Sequence, residues 1–160
     1  MKLLLMILFI VVLISVPLFE FLITKKIQKQ KTPYLLNKHI EIHYEKNTGM
    51  MLGLSKNNRT IVLIVTTILL IPIIIVTPYL ILFTKKMITL KIGCILLSGG
   101  ALSNALERYI YKYVIDYISF PTFFIKKVRK IIFNMADLFI FTSCIIILIG
   151  VIMIWTIRII

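Results

Sequence analysis

Four runs of apolar residues dominate the chain, at about 3–23, 60–83, 87–106 and 134–157, and most polar residues fall between them. Each run is close to the ~20 residues that a helix needs to cross a hydrocarbon core of ~30 Å. The pattern predicts an all-α membrane protein with four transmembrane helices, forming a single integral membrane domain over 1–160. The first run follows only Met1 and Lys2. It is longer than the apolar stretch of a secretory signal and no small-x-small cleavage site follows it, so it reads as a retained helix.

The connections carry patterns of their own. Between Lys25 and Arg59, Ile40, Ile42 and Tyr44 alternate with Glu41, His43 and Glu45, the period of a half-buried strand, which predicts a small β platform on the membrane surface. Asn47, Gly49 and Gly53 then form a turn-rich stretch. Pro72 and Pro78 inside the second span predict a kink, tolerated where neighbours satisfy the freed carbonyl. Thr84, Lys85 and Lys86 make a tight turn into the third span, whose Gly99, Gly100, Ala101 and Ser103 let another helix approach closely. Tyr109, Tyr111, Tyr113, Tyr117, Phe120, Phe123 and Phe124 crowd around Asp116, predicting an aromatic belt where the chain skims the water interface. Trp155 and Arg158 read as an interfacial anchor of the last span.

Charge changes the picture in one respect. A net charge of +13 would suggest nucleic acid for a soluble protein, but here the basic residues flank the spans and leave no soluble module to bind it. Membrane phospholipids with anionic headgroups are the partner that placement fits. Cys94 and Cys144 fall inside apolar spans as small packing groups and define neither a disulfide framework nor a terminal lipid anchor.

Asp116 and Asp137 are the only aspartates in a chain with six acidic and nineteen basic residues, and each stands at the edge of an apolar stretch where a lone carboxylate is costly. The polar residues at the span ends come in three clusters. They are Asn47-Thr48-Gly49, then Gly99 through Arg108 with Asp116 eight residues later, and Phe133-Asn134-Met135-Ala136-Asp137. In order and spacing, over the whole chain and including His43-Tyr44 just ahead of Asn47, these clusters resemble the bacterial lipoprotein signal peptidases, the type II signal peptidases.

The resemblance implies an intramembrane aspartyl endopeptidase that removes signal peptides from diacylglyceryl-modified prolipoproteins just before the lipidated cysteine. It acts as a monomer, and its mechanism requires no metal, nucleotide or other cofactor. Asp116 and Asp137 would be the catalytic dyad, and two close carboxyls that share one proton suit acid–base work on a peptide bond. Asn47, Gly49, Asn104, Glu107, Arg108, Asn134 and Ala136 would bind substrate or support the dyad. Amides orient neighbours without adding a charge to desolvate, Arg108 offers donors to a substrate carbonyl, and Gly49 and Ala136 leave room for close backbone approach. The active site would face the extracytoplasmic side of the cell membrane, between loops at about 25–58 and 107–133.

Some positions depart from the family pattern. Glu107 stands for its usual Asp, Ser103 and Lys112 for glycines, and Met50-Met51-Leu52 for Ala-Ala-Phe, while Phe21 stands where the first span normally ends in an Asp motif and Glu20 is one residue off. These changes spare both aspartates. The chain is then either the family's main housekeeping enzyme or a divergent relative with narrower substrates or altered inhibitor sensitivity. Orientation read from charge alone runs the other way, since loop one carries eight Lys/Arg and loop three six against five elsewhere, which a positive-inside count places in the cytoplasm. We follow the resemblance, because outward-facing basic residues also hold anionic headgroups.

Blander readings exist for each residue. Either aspartate taken alone reads as an interfacial carboxylate paired with a lysine, Arg108 as a snorkelling side chain, Glu107 as a solvated helix end and Glu20 as a bundle-facing group. His39 and His43, four apart on a strand, are too far apart to chelate one ion. For the whole chain the competing class is a non-enzymatic four-span protein such as a small ion or proton carrier, which needs acids along a path across the bilayer. A catalytically dead binder of signal peptides is disfavoured by retention of both aspartates.

Overall fold

The computed structural model describes residues 1–28, 32–49, 58–85 and 87–159. Its elements run α1 (Lys2–Ile27), β1 (Tyr34–Asn37), β2 (Ile40–Asn47), α2 (Arg59–Phe83), α3 (Ile88–Tyr111), β3 (Val114–Ser119), one 3-10 turn (Val128–Lys130) and α4 (Met135–Ile159). Four helices are long and apolar enough to cross a membrane, as the apolar runs predict. The third continues past the expected 106 to Tyr111, so Glu107 and Arg108 sit on its last turns rather than in a loop. The second runs unbroken through both Pro72 and Pro78. The expected turn at Gly53 and the Met50-Met51-Leu52 departure lie outside the described residues, as do Lys86 and the Arg158 side chain.

α3 is the least apolar span and the central one. Its small residues explain why. A Cβ built at Gly99 would lie 2.6 Å from Val12 of α1, and one at Gly100 would lie 2.7 Å from the Ala136 carbonyl oxygen of α4. Further along, Gly93 meets Ile147, and Gly150 returns the contact from α4 to Leu90. Backbones at such separation gain the dispersion contact that holds helices together in lipid, where no hydrophobic drive operates between them. α2 joins by polar contact, with Thr77 and Ser98 hydroxyls 3.0 Å apart. α1 presents a helical stripe of Leu5, Phe9, Val12 and Val16 to the interior, packed with Ile81 and Ile95. The same stripe ends in buried Glu20 and Thr24.

The platform is a three-stranded antiparallel sheet in the order β1-β2-β3. The alternation at 40–45 finds β2, in which Asn47 pairs with Val114 and Glu45 with Asp116 across to β3. β3 departs from the expectation of an interfacial belt. All six residues Val114–Ser119 are buried, because Ile115, Tyr117 and Ile118 pack with Ile27 and Ile42 in a second core beneath the sheet. A backbone bridge between Ile118 and Phe133 ties β3 to the residues just ahead of α4.

Candidate active site

The three polar clusters meet at one end of the bundle. Asp116 arrives on β3, Asn47 on β2, Asn104 and Arg108 on the last turns of α3, and Asn134 with Asp137 at the start of α4. Asn134 is the residue ahead of the helix, and its side-chain Oδ1 accepts from the Asp137 N–H at 2.7 Å. In return the Asn134 N–H donates to Asp137 Oδ2 at 3.4 Å, a reciprocal capping arrangement that satisfies helix N–H groups lacking intrahelical partners.

Amide side chains link the two carboxyls. Asn134 Nδ2 donates to Asp116 Oδ1 at 3.2 Å and to Asn104 Oδ1 at 3.0 Å, and Asn104 Nδ2 donates to Asp137 Oδ1 at 2.9 Å. Asn47 Nδ2 donates to the other oxygen of Asp116 at 2.8 Å, while its Oδ1 accepts from the Gly49 N–H at 3.0 Å. Each carboxyl is thereby held in orientation by neutral donors, without a second charge to desolvate.

Among the described residues, Arg108 is the one cation joined to this network. It donates to the carbonyls of Asn104 at 3.2 Å and Gly49 at 3.4 Å, and its Nε has no partner among the described residues. Glu107 points to the other side, where its Oε2 accepts from the buried Ile115 N–H at 3.0 Å and fixes the start of β3. Ala136 is fully buried against Gly100, the close approach expected of it. Of the nine residues singled out in the sequence, Asn47, Gly49, Asn104, Arg108, Asp116, Asn134 and Asp137 are joined by hydrogen bonds in one network, while Glu107 and Ala136 pack beside it.

Asp116 is 7% exposed. Burial is the main reason that its carboxyl is pushed up to about 6, and the Asp137 carboxylate beside it acts the same way, against the hydrogen bonds from Asn47 and Asn134 and the charge of Arg108. A carboxyl that keeps its proton beside one that is ionised is the condition for shared-proton chemistry.

A cavity of about 670 Å³ opens over these groups. Its polar end holds Asn47, Asn104, Arg108, Asp116 and Asp137, and its apolar walls come from Leu69 and Leu70 of α2 and Ile140 and Phe141 of α4. α3 packs on both of those helices, whereas among the described residues α2 and α4 share no extensive contact, so the cavity lies between them.

Sequence reasoning read Glu20 as an interfacial or bundle-facing group and missed its buried partner, Tyr117. Glu20 of α1 accepts from the Tyr117 hydroxyl at 3.2 Å, and that hydroxyl accepts from the Met135 N–H at 3.2 Å. The signal available was a lone acid on an otherwise apolar helix stripe. At the opposite end of the bundle Lys91 is also buried and donates to the Thr84 carbonyl at 2.8 Å, closing the end of α2. His39 and His43 bond separately, to Thr122 and Ser119.

A family model described as signal peptidase (SPase) II matches residues 6–153. The chain is 27% identical over 137 residues to the lipoprotein signal peptidase of Halothermothrix orenii, covering 81% of this chain and 83% of that one. It is 29% identical over 106 residues to the lipoprotein signal peptidase of Clostridioides difficile, covering 66% of each. Two solved structures of bacterial membrane enzymes, both obtained by the in meso method, share the fold at 23% identity with TM-scores of 0.76 and 0.72. The first covers 90% of this chain and 87% of its own, the second 89% and 91%.

Proposed function

The chain belongs to the signal peptidase II family, aspartic peptidases that remove lipoprotein signal peptides within the membrane, and on that premise we propose that Asp116 and Asp137 are its catalytic pair. The observation that carries this reading is the amide relay through Asn134 and Asn104, which ties both carboxyls into one network at the polar end of the cavity. The two carboxyls share one proton, so that the protonated member donates to the scissile carbonyl while the ionised member takes a proton from the attacking water. When the tetrahedral diol collapses, the C–N bond breaks, the carboxyl that took the water's proton passes it to the leaving nitrogen, and the other recovers a proton from the diol hydroxyl, so that the pair returns to its singly protonated state.

Around this pair, the Arg108 side chain at the polar end of the cavity and the Gly49 segment hold the substrate backbone, Asn47, Asn104 and Asn134 orient the carboxyls, and Glu107 fixes β3. The substrate is a prolipoprotein signal helix bearing a diacylglyceryl cysteine, which enters from the lipid between α2 and α4 and is cut just before that cysteine. The protein works as a monomer in the cytoplasmic membrane, with surrounding phospholipids as its other partner and the polar end outward. A carrier would need acids along a path across the bilayer, whereas among the described residues the buried acids Glu20, Glu107 and Asp116 gather with Asp137 at one end. The test is cleavage of a diacylglyceryl-modified prolipoprotein by the purified protein, with Asp116→Asn and Asp137→Asn as controls. Cleavage by the parent alone supports the reading, and cleavage by either variant at the parent rate overturns it.

A further inference from the structure

The hydroxyl of Tyr117 joins three elements at a point that the proposed chemistry does not use. Tyr117 follows Asp116 on β3, Met135 stands two residues before Asp137 on α4, and Glu20 comes from α1. The phenol donates to Glu20 Oε2 and accepts from the Met135 N–H, each at 3.2 Å. One hydroxyl has one proton to give and lone pairs to receive, so both bonds are satisfied at once. Burial, with Glu20 beside it, pushes the phenol well above its ordinary value, so it remains a donor wherever the protein functions.

Neither Glu20 nor Tyr117 lines the cavity, and they are 1% and 2% exposed. Glu20 Oε1 has no hydrogen-bond partner among the described residues. A carboxyl in such a place costs stability that an apolar side chain of similar size would not. What it provides is position. The α1 stripe that ends at Glu20 seats Val12 and Val16 against Gly99 of α3, and α3 meets α4 at Gly100 and Ala136. The Glu20–Tyr117–Met135 contact closes that frame at the level of the aspartates.

We propose that Glu20 and Tyr117 form a positioning pair that sets the separation and tilt of Asp116 relative to Asp137 by fastening β3 and the start of α4 to α1. The proposal rests on the reading of those aspartates as the catalytic pair. Glu20 and Tyr117 act through backbone placement and touch no substrate.

The experiment measures kcat, KM and the pH profile for a diacylglyceryl-modified test prolipoprotein, per molecule of monodisperse folded protein. Tyr117→Phe and Glu20→Leu are each expected to lower kcat roughly 10-fold to 100-fold, the scale of a small misplacement of reacting groups, with KM unchanged. The double variant is expected to be no worse than either single, because both break one linkage. Glu20→Gln keeps an acceptor for the phenol and should recover most of the kcat that Glu20→Leu loses. The pH profile of Tyr117→Phe should shift, since the coupling between the carboxyls depends on their separation. A purely structural role would lower the yield of folded protein and its melting temperature but leave kcat and the pH profile of the folded fraction unmoved, and that result overturns the proposal. Asp116→Asn in the same assay separates the two readings. An inactive Asp116→Asn beside a fully active Tyr117→Phe removes the positioning pair alone, and an active Asp116→Asn removes the catalytic pair and this proposal with it.

Discussion

Asn134 and Asp137 cap each other: the Asp137 N–H donates to Asn134 Oδ1 at 2.7 Å and the Asn134 N–H donates to Asp137 Oδ2 at 3.4 Å. The contact that begins α4 therefore also aims the Asp137 carboxyl, and the remaining Asn134 donors reach Asp116 and Asn104. Helix initiation and orientation of the pair are one event.

Loss of either carboxylic acid should stop cleavage. An amide has the shape of the carboxyl but can neither take a proton nor share one, so Asp116→Asn and Asp137→Asn are each expected to lower kcat by at least ~10²-fold to 10⁴-fold. Because the pair acts as a unit, the double variant should be scarcely worse. Single-turnover cleavage of a diacylglyceryl-modified prolipoprotein, with binding measured separately, checks both points.

The same substitution at Asp116 should alter stability with pH. Asp116 holds its proton up to about 6 in the folded protein against an ordinary value of 3.8, so its favourable contribution is complete below pH 4 and is lost as pH rises through 6. Asp116→Asn carries no such group. Relative to the variant, the parent should lose about 2 kcal/mol between pH 4 and pH 7, read from denaturation in detergent at each pH. Parallel pH dependence in the two proteins would show that Asp116 titrates normally.

Lys112 ends α3 at φ 68°, in the left-handed region that favours glycine, and stands where the family pattern has one. Lys112→Gly relieves the strain at the cost of some chain entropy. A net gain of roughly 0.5 to 1 kcal/mol is expected, with cleavage retained, and thermal melting of the two proteins side by side measures it.

At Gly100 the opposite change is harmful. The added methyl of Gly100→Ala meets the Ala136 carbonyl oxygen at 2.7 Å, a backbone atom that cannot step aside, so α3 and α4 must part beside the aspartates. A loss of about 1 to 3 kcal/mol is expected, accompanied by reduced kcat. A variant with the parent's melting temperature and activity would mean that the two helices separate freely there.

Orientation is decided by labelling. With Cys94 and Cys144 replaced by alanine, and on the proposed orientation with the polar end outward, a cysteine placed at exposed Lys46 or Lys127 should react with an impermeant thiol reagent in intact cells. Reaction only after permeabilisation would place both loops in the cytoplasm and vindicate the positive-charge count.

The spans were legible because a bilayer demands about twenty apolar residues in a row, and β2 because Ile40, Ile42 and Tyr44 alternate with Glu41, His43 and Glu45. β3 was hidden for the converse reason. Val114–Ser119 is buried on both faces and shows no alternation, and its tyrosine imitates an interfacial belt. β1 is four exposed residues with no pattern to read. The meeting of Asn47, Asn104, Asp116, Asn134 and Asp137 followed from three clusters at span ends that chain direction brings to one side. The Glu20–Tyr117 contact joins residues from opposite halves of the chain, and nothing local in either segment announces the other. Lys112 was visible as a departure, but only the backbone angle explains why a glycine belongs there.

The gap between α2 and α4 has a consequence for recognition. On the proposed reading, a signal helix lying there completes the bundle as a temporary fifth member, flanked by Leu69 and Leu70 on one side and Ile140 and Phe141 on the other. Walls of that kind grade a guest by girth and by how far its apolar length carries its end toward the aspartates, with little attention to which aliphatic residues it contains. Selectivity of this sort works as a gauge, and it admits many unlike sequences that share one set of dimensions.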